Sequence, residues 1–119
     1  MLAALFLAII AAPGQTFTTL KRFGDLNYVS GQNPHAPLVQ GEDGTLYGTT
    51  RNGAQNVQGT VFKLQPDGGG FTVLKWFTND LEGASPLGGL VLLGDTLYGT
   101  TSSGGGSGVG TVFKVNTDG

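Results

Sequence analysis

LYGTTRNGAQNVQGTVFK, residues 46–63, and LYGTTSSGGGSGVGTVFK, residues 97–114, decide the architecture of this chain. The blocks LYGTT and GTVFK each recur 51 residues later, and eight residues separate them both times. Those eight change almost completely while their number is kept. A held frame around a changing loop is the mark of a structural repeat.

Outward from this pair, the chain after Gly14 resolves into four short apolar segments given twice. FTTLKRF (Phe17–Phe23) returns as FTVLKWF (Phe71–Phe77), 54 residues on. A turn-rich linker carries Asn33-Pro34, matched by Ser85-Pro86. Ala36–Gln40 matches Gly88–Leu92, Thr45–Thr50 matches Thr96–Thr101, and Gly59–Leu64 matches Gly110–Val115. Repeat 1 is assigned to residues 15–68 and repeat 2 to residues 69–119. The length differences between copies fall in linkers, where loops tolerate them.

Period-2 alternation, abundant Thr and Val, and glycine-rich punctuation predict short strands and no helix beyond Gly14. Asp43-Gly44 is expected to make a two-residue hairpin turn, with Gly94-Asp95 as a counterpart one residue shorter. The fold class that follows is all-β: antiparallel four-stranded meanders, two blade-like repeats of a β-propeller-like array. In Thr60–Leu64 both faces carry apolar side chains, as expected of a sheet packed on both sides. Gly48 inside a strand marks a close approach, for which an aromatic ring of the next blade is the candidate. A blade cannot bury its own faces. Two blades would leave copies of Val61, Phe62 and Leu64 bare, so the chain is expected to be part of a longer array or to close a ring by self-association.

Composition excludes more than it assigns. Of 119 residues, 22 are glycine and none is cysteine, which removes disulfides, thiol nucleophiles and cysteine zinc sites. A net charge of −2, with six Lys and Arg spread along the chain, argues against a nucleic-acid partner. Met1–Ala12 is an unbroken apolar run, too short to span a bilayer as a helix but of the length of a signal-peptide core. Residues 1–14 are therefore expected to direct export, with a small-x-small site at Ala12, Pro13 and Gly14. The alternative is a buried apolar N-terminal segment.

The blocks DGTLYGTT (Asp43–Thr50), GTVFKL (Gly59–Leu64) and FTTLKRF, and their second copies, resemble the GloVer-type tandem repeats of bacterial surface proteins. The likeness covers nearly everything from Thr16 to Gly119. It implies an exported, surface-tethered, propeller-like array and supplies no reaction or catalytic residue. A weaker likeness is to quinoprotein-like and kelch-like propellers, whose tryptophan is present only as Trp76.

Candidate chemistry is sparse. His35, the sole histidine, lies in a linker between prolines and has Leu87 as its counterpart. Glu42, Asp43, Asp67, Asp95 and Asp118 border glycines and carry turn chemistry better than a calcium loop or a glycosidase pair. Gly104–Gly110 precedes a strand, not the helix a phosphate loop needs. The candidate ligand-contact set is Thr49, Thr50, Arg51 and Asn52 with Thr100, Thr101, Ser102 and Ser103, where each LYGTT strand enters its variable loop. Hydroxyls there, with Tyr47 and Tyr98, suit a carbohydrate or protein ligand; packing of the same residues inside the frame is the competing explanation. The function expected is a non-enzymatic, extracellular or cell-surface repeat scaffold that binds through variable loops, with no cofactor and no metal. Neighbouring repeats or a second copy are the expected partners. A fragment of a propeller enzyme, hydrolase or redox, and a purely structural spacer are the alternatives.

Overall fold

Tyr47, Val61, Phe77, Leu90 and Leu97 form one buried cluster among the described residues. The computed structural model describes residues 13–24, 30–53, 56–78 and 81–119. The apolar run and the expected cleavage region up to Ala12 lie outside the described residues. No described helix is long and apolar enough to cross a membrane.

The strands are β1 (Gln32–Pro34), β2 (Val39–Gln40), β3 (Leu46–Asn52), β4 (Thr60–Leu64), β5 (Thr72–Trp76), β6 (Val91–Leu93), β7 (Thr96–Thr100) and β8 (Val112–Asn116). They make two antiparallel sheets. The first has the order β1-β3-β4-β5, with β2 on the same edge of β3 as β1; the second has the order β6-β7-β8. The described residues are thus all-β and built from meanders, as the repeat pattern predicts.

Three local expectations are revised. The linker around Asn33-Pro34 contains β1, which pairs with the far end of β3 through Gln32↔Asn52 and Pro34↔Thr50. Asn33 and its counterpart Ser85 both have positive φ, 56° and 54°. The residue before each proline is therefore a left-handed kink built into the frame. Second, the turn at Asp43-Gly44 is a three-residue loop. Gly41 N–H donates to Thr45 O at 2.8 Å and Gly44 N–H to Gly41 O at 3.0 Å, with Gly44 at φ +86°. That is the wider hairpin closed by a left-handed glycine; Gly94-Asp95, between the paired Leu93 and Thr96, is the two-residue one. Third, the FTTLKRF segment forms no strand, whereas the same segment in the second copy is β5. Among the described residues no strand ladder includes it, whereas β5 has β4 beside it.

β5 pairs with β4 and so completes the first sheet, although by sequence it opens the second copy. The ladder runs Thr60↔Trp76, Val61↔Lys75, Phe62↔Val73 and Lys63↔Thr72, which leaves Leu74 as the bulged residue. Phe77, whose backbone still bonds Gly59 O and Gln58 N–H beside β4, sends its ring onto Phe113 of the second sheet, ring centroids 5.0 Å apart and steeply inclined. Phe23 does the same one repeat earlier, 5.1 Å from Phe62. Phe71 joins that pair at 5.5 Å from Phe62, and Lys21 Nζ lies 4.6 Å above the Phe71 ring.

The ring beside Gly48 belongs to the same sheet. Phe62 is its direct cross-strand partner, and a Cβ on Gly48 would lie 2.6 Å from both Phe62 Cζ and Leu38 Cδ2. Gly99 faces Phe113 in the same way. The aromatic ring lies over the missing side chain of the glycine opposite, a cross-strand pair that only glycine permits. Replacement of Gly48 by alanine is expected to cost about 1–3 kcal/mol, because the ring must leave a packed position. Urea denaturation of Gly48→Ala against the native chain measures this, and unchanged stability would show that Phe62 is free to swing away.

Candidate functional site

The turn between β3 and β4 and the turn between β7 and β8 lie at one end of the two sheets, and their feet are fixed by matching hydroxyl pairs. Thr50 and Thr60 share a hydrogen bond of 2.8 Å, and Thr101 and Thr111 one of 2.9 Å. Each pair leans on a backbone carbonyl: Thr50 Oγ1 donates to Asn52 O, and Thr101 Oγ1 to Ser103 O. A glycine of positive φ seals each pair from above, Gly31 in the first copy and Gly83 in the second. A Cβ there would run into the threonine hydroxyls. The conserved spacing between the LYGTT and GTVFK blocks therefore closes a polar clasp around a loop of any sequence.

The two loops are also tied to each other. Ser85 N–H donates to Gln58 O at 2.6 Å, while Ser85 O accepts from Ser102 N–H at 3.1 Å and from Ser102 Oγ at 2.9 Å. The left-handed backbone at Ser85 sets its amide and carbonyl toward different loops. Ala84 and Ser103 add an antiparallel bridge.

The eight candidate contact residues divide by burial. Thr49 is 2% exposed and Thr50 fully buried; Thr101 is buried as well. Arg51, Thr100 and Ser102 are exposed, and Asn52 and Ser103 half-buried. Thr50 and Thr101 serve the clasp, and Ser103 Oγ donates to Ala84 O. Arg51, Asn52, Thr100, Ser102 and Ser103 are the members that reach the surface beside the loops. Tyr47 is buried, whereas Tyr98, its counterpart, is 37% exposed. His35 is exposed.

The opposite end carries a feature the sequence does not show. Val39, Gln40, Gly41, Glu42, Asp43 and Tyr47 of the first sheet and Leu92, Gly94, Asp95 and Thr117 of the second enclose a cleft of about 480 Å³. Its walls are the β2–β3 and β6–β7 hairpins, which only the packing of the two sheets brings together. Asp43 has a prior commitment: its Oδ1 accepts from Thr45 N–H at 3.0 Å and its Oδ2 from Thr45 Oγ1 at 2.8 Å. Asp67 repeats the turn chemistry with Gly69 N–H at 2.8 Å. The Thr45 amide, more than its hydroxyl, holds the Asp43 carboxyl below its ordinary range. Burial raises the Tyr47 phenol, and the Asp43 charge adds to it, so the phenol stays protonated as a donor. Lys63 Nζ donates to Thr117 O at 2.8 Å, linking β4 to the far wall. Among the described residues no cluster of three His, Cys, Asp or Glu could hold a metal ion.

Two predictions follow from these bonds. Thr49 Oγ1 is buried without a hydrogen-bond partner, whereas Thr50 Oγ1 is bonded. Thr49→Val should therefore raise stability by about 1 kcal/mol, and Thr50→Val should lower it by about 1–3 kcal/mol by orphaning Thr60. Thermal melts of the two variants have opposite signs if the clasp is as described. The depressed Asp43 carboxyl contributes stability that is complete above its unfolded pKa and is lost as pH falls through the folded value. Carboxyl chemical shifts followed by NMR should give Asp43 a midpoint below that of the unfolded chain, moved part of the way back by Thr45→Val.

A search of curated proteins finds no match to this sequence. The model of the Gloeobacter/Verrucomicrobia repeat matches residues 7–119, across both sheets and both clasped loops, and the chain belongs to that family.

Proposed function

We propose that the chain is a non-enzymatic module of a propeller-like array at the cell surface, exported by its apolar N-terminus, whose ligand is contacted by the two clasped loops. The observation that carries this reading is the Thr50–Thr60 and Thr101–Thr111 clasps with the Ser85 tie between them. Repeat-to-repeat identity falls on the clasp, and the difference falls on Arg51–Gln58 and Ser102–Val109. A frame of this kind holds unlike loops side by side without asking anything of their sequence. Such rigidly footed loops are where binding specificity collects. Arg51, with exposed hydroxyl and amide groups around it, suits a carbohydrate or the polar rim of a protein.

A second reading places the ligand in the cleft between the hairpins, where Tyr47, Glu42 and Asp95 line a concave polar wall. It favours a small polyhydroxylated molecule. The test is a panel of cell-wall and plant polysaccharides, probed with the chain and with a variant in which residues 51–58 are replaced by the sequence of residues 102–109. The loop reading expects polysaccharide binding to be lost in the variant with its melting temperature unchanged. Binding that survives the replacement and disappears in Glu42→Gln/Asp95→Asn would transfer the site to the cleft.

A further inference from the structure

The cleft between the β2–β3 and β6–β7 hairpins is acidic, and most of its acid is unpaired. Glu42, Asp43 and Asp95 line the space of about 480 Å³, and among the described residues no Lys or Arg does. All three acids are exposed at the rim. Among the described residues the carboxylates of Glu42 and Asp95 have neither a hydrogen bond nor an ion pair. The Asp43 carboxyl is kept ionised by its bonds to Thr45. Lys63 acts on it only weakly, because its ammonium group is held on Thr117 O at 2.8 Å.

Below the rim the wall changes character. Tyr47 is 5% exposed, yet it lines the cleft. Its phenol closes no hydrogen bond among the described residues. The hydroxyls of Thr45 and Thr117 approach it without closing one, and that of Thr45 already serves Asp43 and Gln65. A buried polar group left open toward a cavity calls for a partner there. Gly41 leaves the room for one. A Cβ on Gly41 would lie 2.9 Å from Asp43 Oδ1, 3.4 Å from Tyr47 Cε2 and 3.7 Å from Leu92 Cδ2. One point above bare backbone is thus bordered by a carboxylate, the edge of a phenol ring and a leucine methyl. Val39, half-buried, continues the apolar side.

We propose that this cleft binds a protonated amino sugar, with its ammonium group on the carboxylates of Glu42, Asp43 and Asp95, a ring oxygen or hydroxyl accepting from the Tyr47 phenol, and its C–H face against Leu92 and Val39. The assignment rests on the cleft being a ligand site at all, and the clasped loops have no part in it. The carboxylates do not converge on one point as metal ligands must. A negative rim spread in this way suits a cation carried on an organic body. A bare alkylamine would answer the rim and leave the phenol open. A neutral sugar would answer the phenol and leave the rim unpaired. An amino sugar answers both, and the cleft falls within the range of about 300–1,000 Å³ of small-molecule sites.

The test is calorimetric titration of the full chain with a β-1,4-linked glucosamine tetramer and with its fully N-acetylated counterpart. The two probes share a skeleton and ring hydroxyls and differ in charge. The amine form should bind about tenfold more tightly at low salt, the sum of two or three exposed charge pairs. That advantage should fade toward about 1 M sodium chloride, where the screening length is about 3 Å. Glu42→Gln/Asp95→Asn should bring the amine form close to the acetylated one. Tyr47→Phe should weaken both forms alike, by about fivefold, and leave their ratio unchanged. Asp67→Asn, a charge removed outside the cleft, should change neither. Thermal melts verify that each variant is folded at the temperature of titration. Equal affinity for the two probes, lost in Tyr47→Phe, would overturn the amine assignment and leave the cleft as a site for neutral sugars. An amine preference that persists in Glu42→Gln/Asp95→Asn, or that falls equally in Asp67→Asn, would overturn both the assignment and the cleft as its place. Binding of neither probe would overturn the assignment outright.

Discussion

The glycine–phenylalanine pair across neighbouring strands is the contact on which the rest of the molecule depends. Gly48 opposite Phe62, and Gly99 opposite Phe113, let an aromatic ring lie flat over its own sheet. A ring held that way presents its edge and face to the next element. The element that arrives is a phenylalanine from the end of the repeated FT-x-LK-x-F segment: Phe23 on Phe62, Phe77 on Phe113. Inclined rings at about 5 Å are the favoured aromatic geometry, and each pair adds about 0.5–1.5 kcal/mol beyond the area it buries. Without the glycine the first ring would stand up and the second would have no seat. The junction between sheets therefore follows from a residue with no side chain.

That contact also explains why the structural unit is out of phase with the sequence repeat. FTVLKWF hydrogen-bonds to one sheet and delivers its last residue to the other. A strand with both duties cannot belong to one sheet alone, and the first sheet is completed by the segment that opens the second repeat. The bulge at Leu74 serves the same end: by inserting one residue it changes the side to which the strand's remaining side chains point, and Leu74 and Phe77 both reach the common core. Covalent continuity between sheets and packing between sheets are then carried by the same seven residues.

How much of this could be seen in the sequence depended on where the information lay. LYGTT and GTVFK are strands because β-branched and aromatic residues alternate there, and alternation is a local property. FTTLKRF satisfies the same local rule and is not a strand, because a ladder needs an edge beside it and no residue in the segment encodes that. Asn33-Pro34 and Ser85-Pro86 carry the signals of a turn, and the positive φ at Asn33 and Ser85 is a turn conformation; what the signals omit is that the flanking residues complete an edge of β3. Phe62 could be named as neither the same-sheet nor the next-sheet ring beside Gly48 from spacing alone, since both lie within reach of a strand glycine. Thr50 and Thr101 were legible as a repeated position of LYGTT, with packing inside the frame as one reading, while their bonds to Thr60 and Thr111 were not. The cleft was invisible because its two hairpins, 51 residues apart in the chain, meet only after the sheets pack.

Thr49 and Thr50 show how the frame and the loops divide the work. They are adjacent, identical and buried, yet one hydroxyl is bonded and the other has no partner. Alternation along β3 sends Thr49 toward the second sheet with Tyr47, and Thr50 to the other side, beneath Gly31 and against Thr60. On the first side the chemistry wants an apolar group, since Thr49 shares its face with Tyr47 and its cross-strand partner Val61, both of the buried cluster. On the second it wants a hydroxyl, because Thr60 Oγ1 and the carbonyl of Asn52 both lie within hydrogen-bond reach. The second copy answers the same demand with Thr101, Thr111 and Gly83. A buried hydroxyl pair is worth little in net energy when satisfied and costs several times as much when broken. Its value to this fold is positional: it fixes the two ends of a loop at one separation, so that what lies between them can change without the sheet being disturbed.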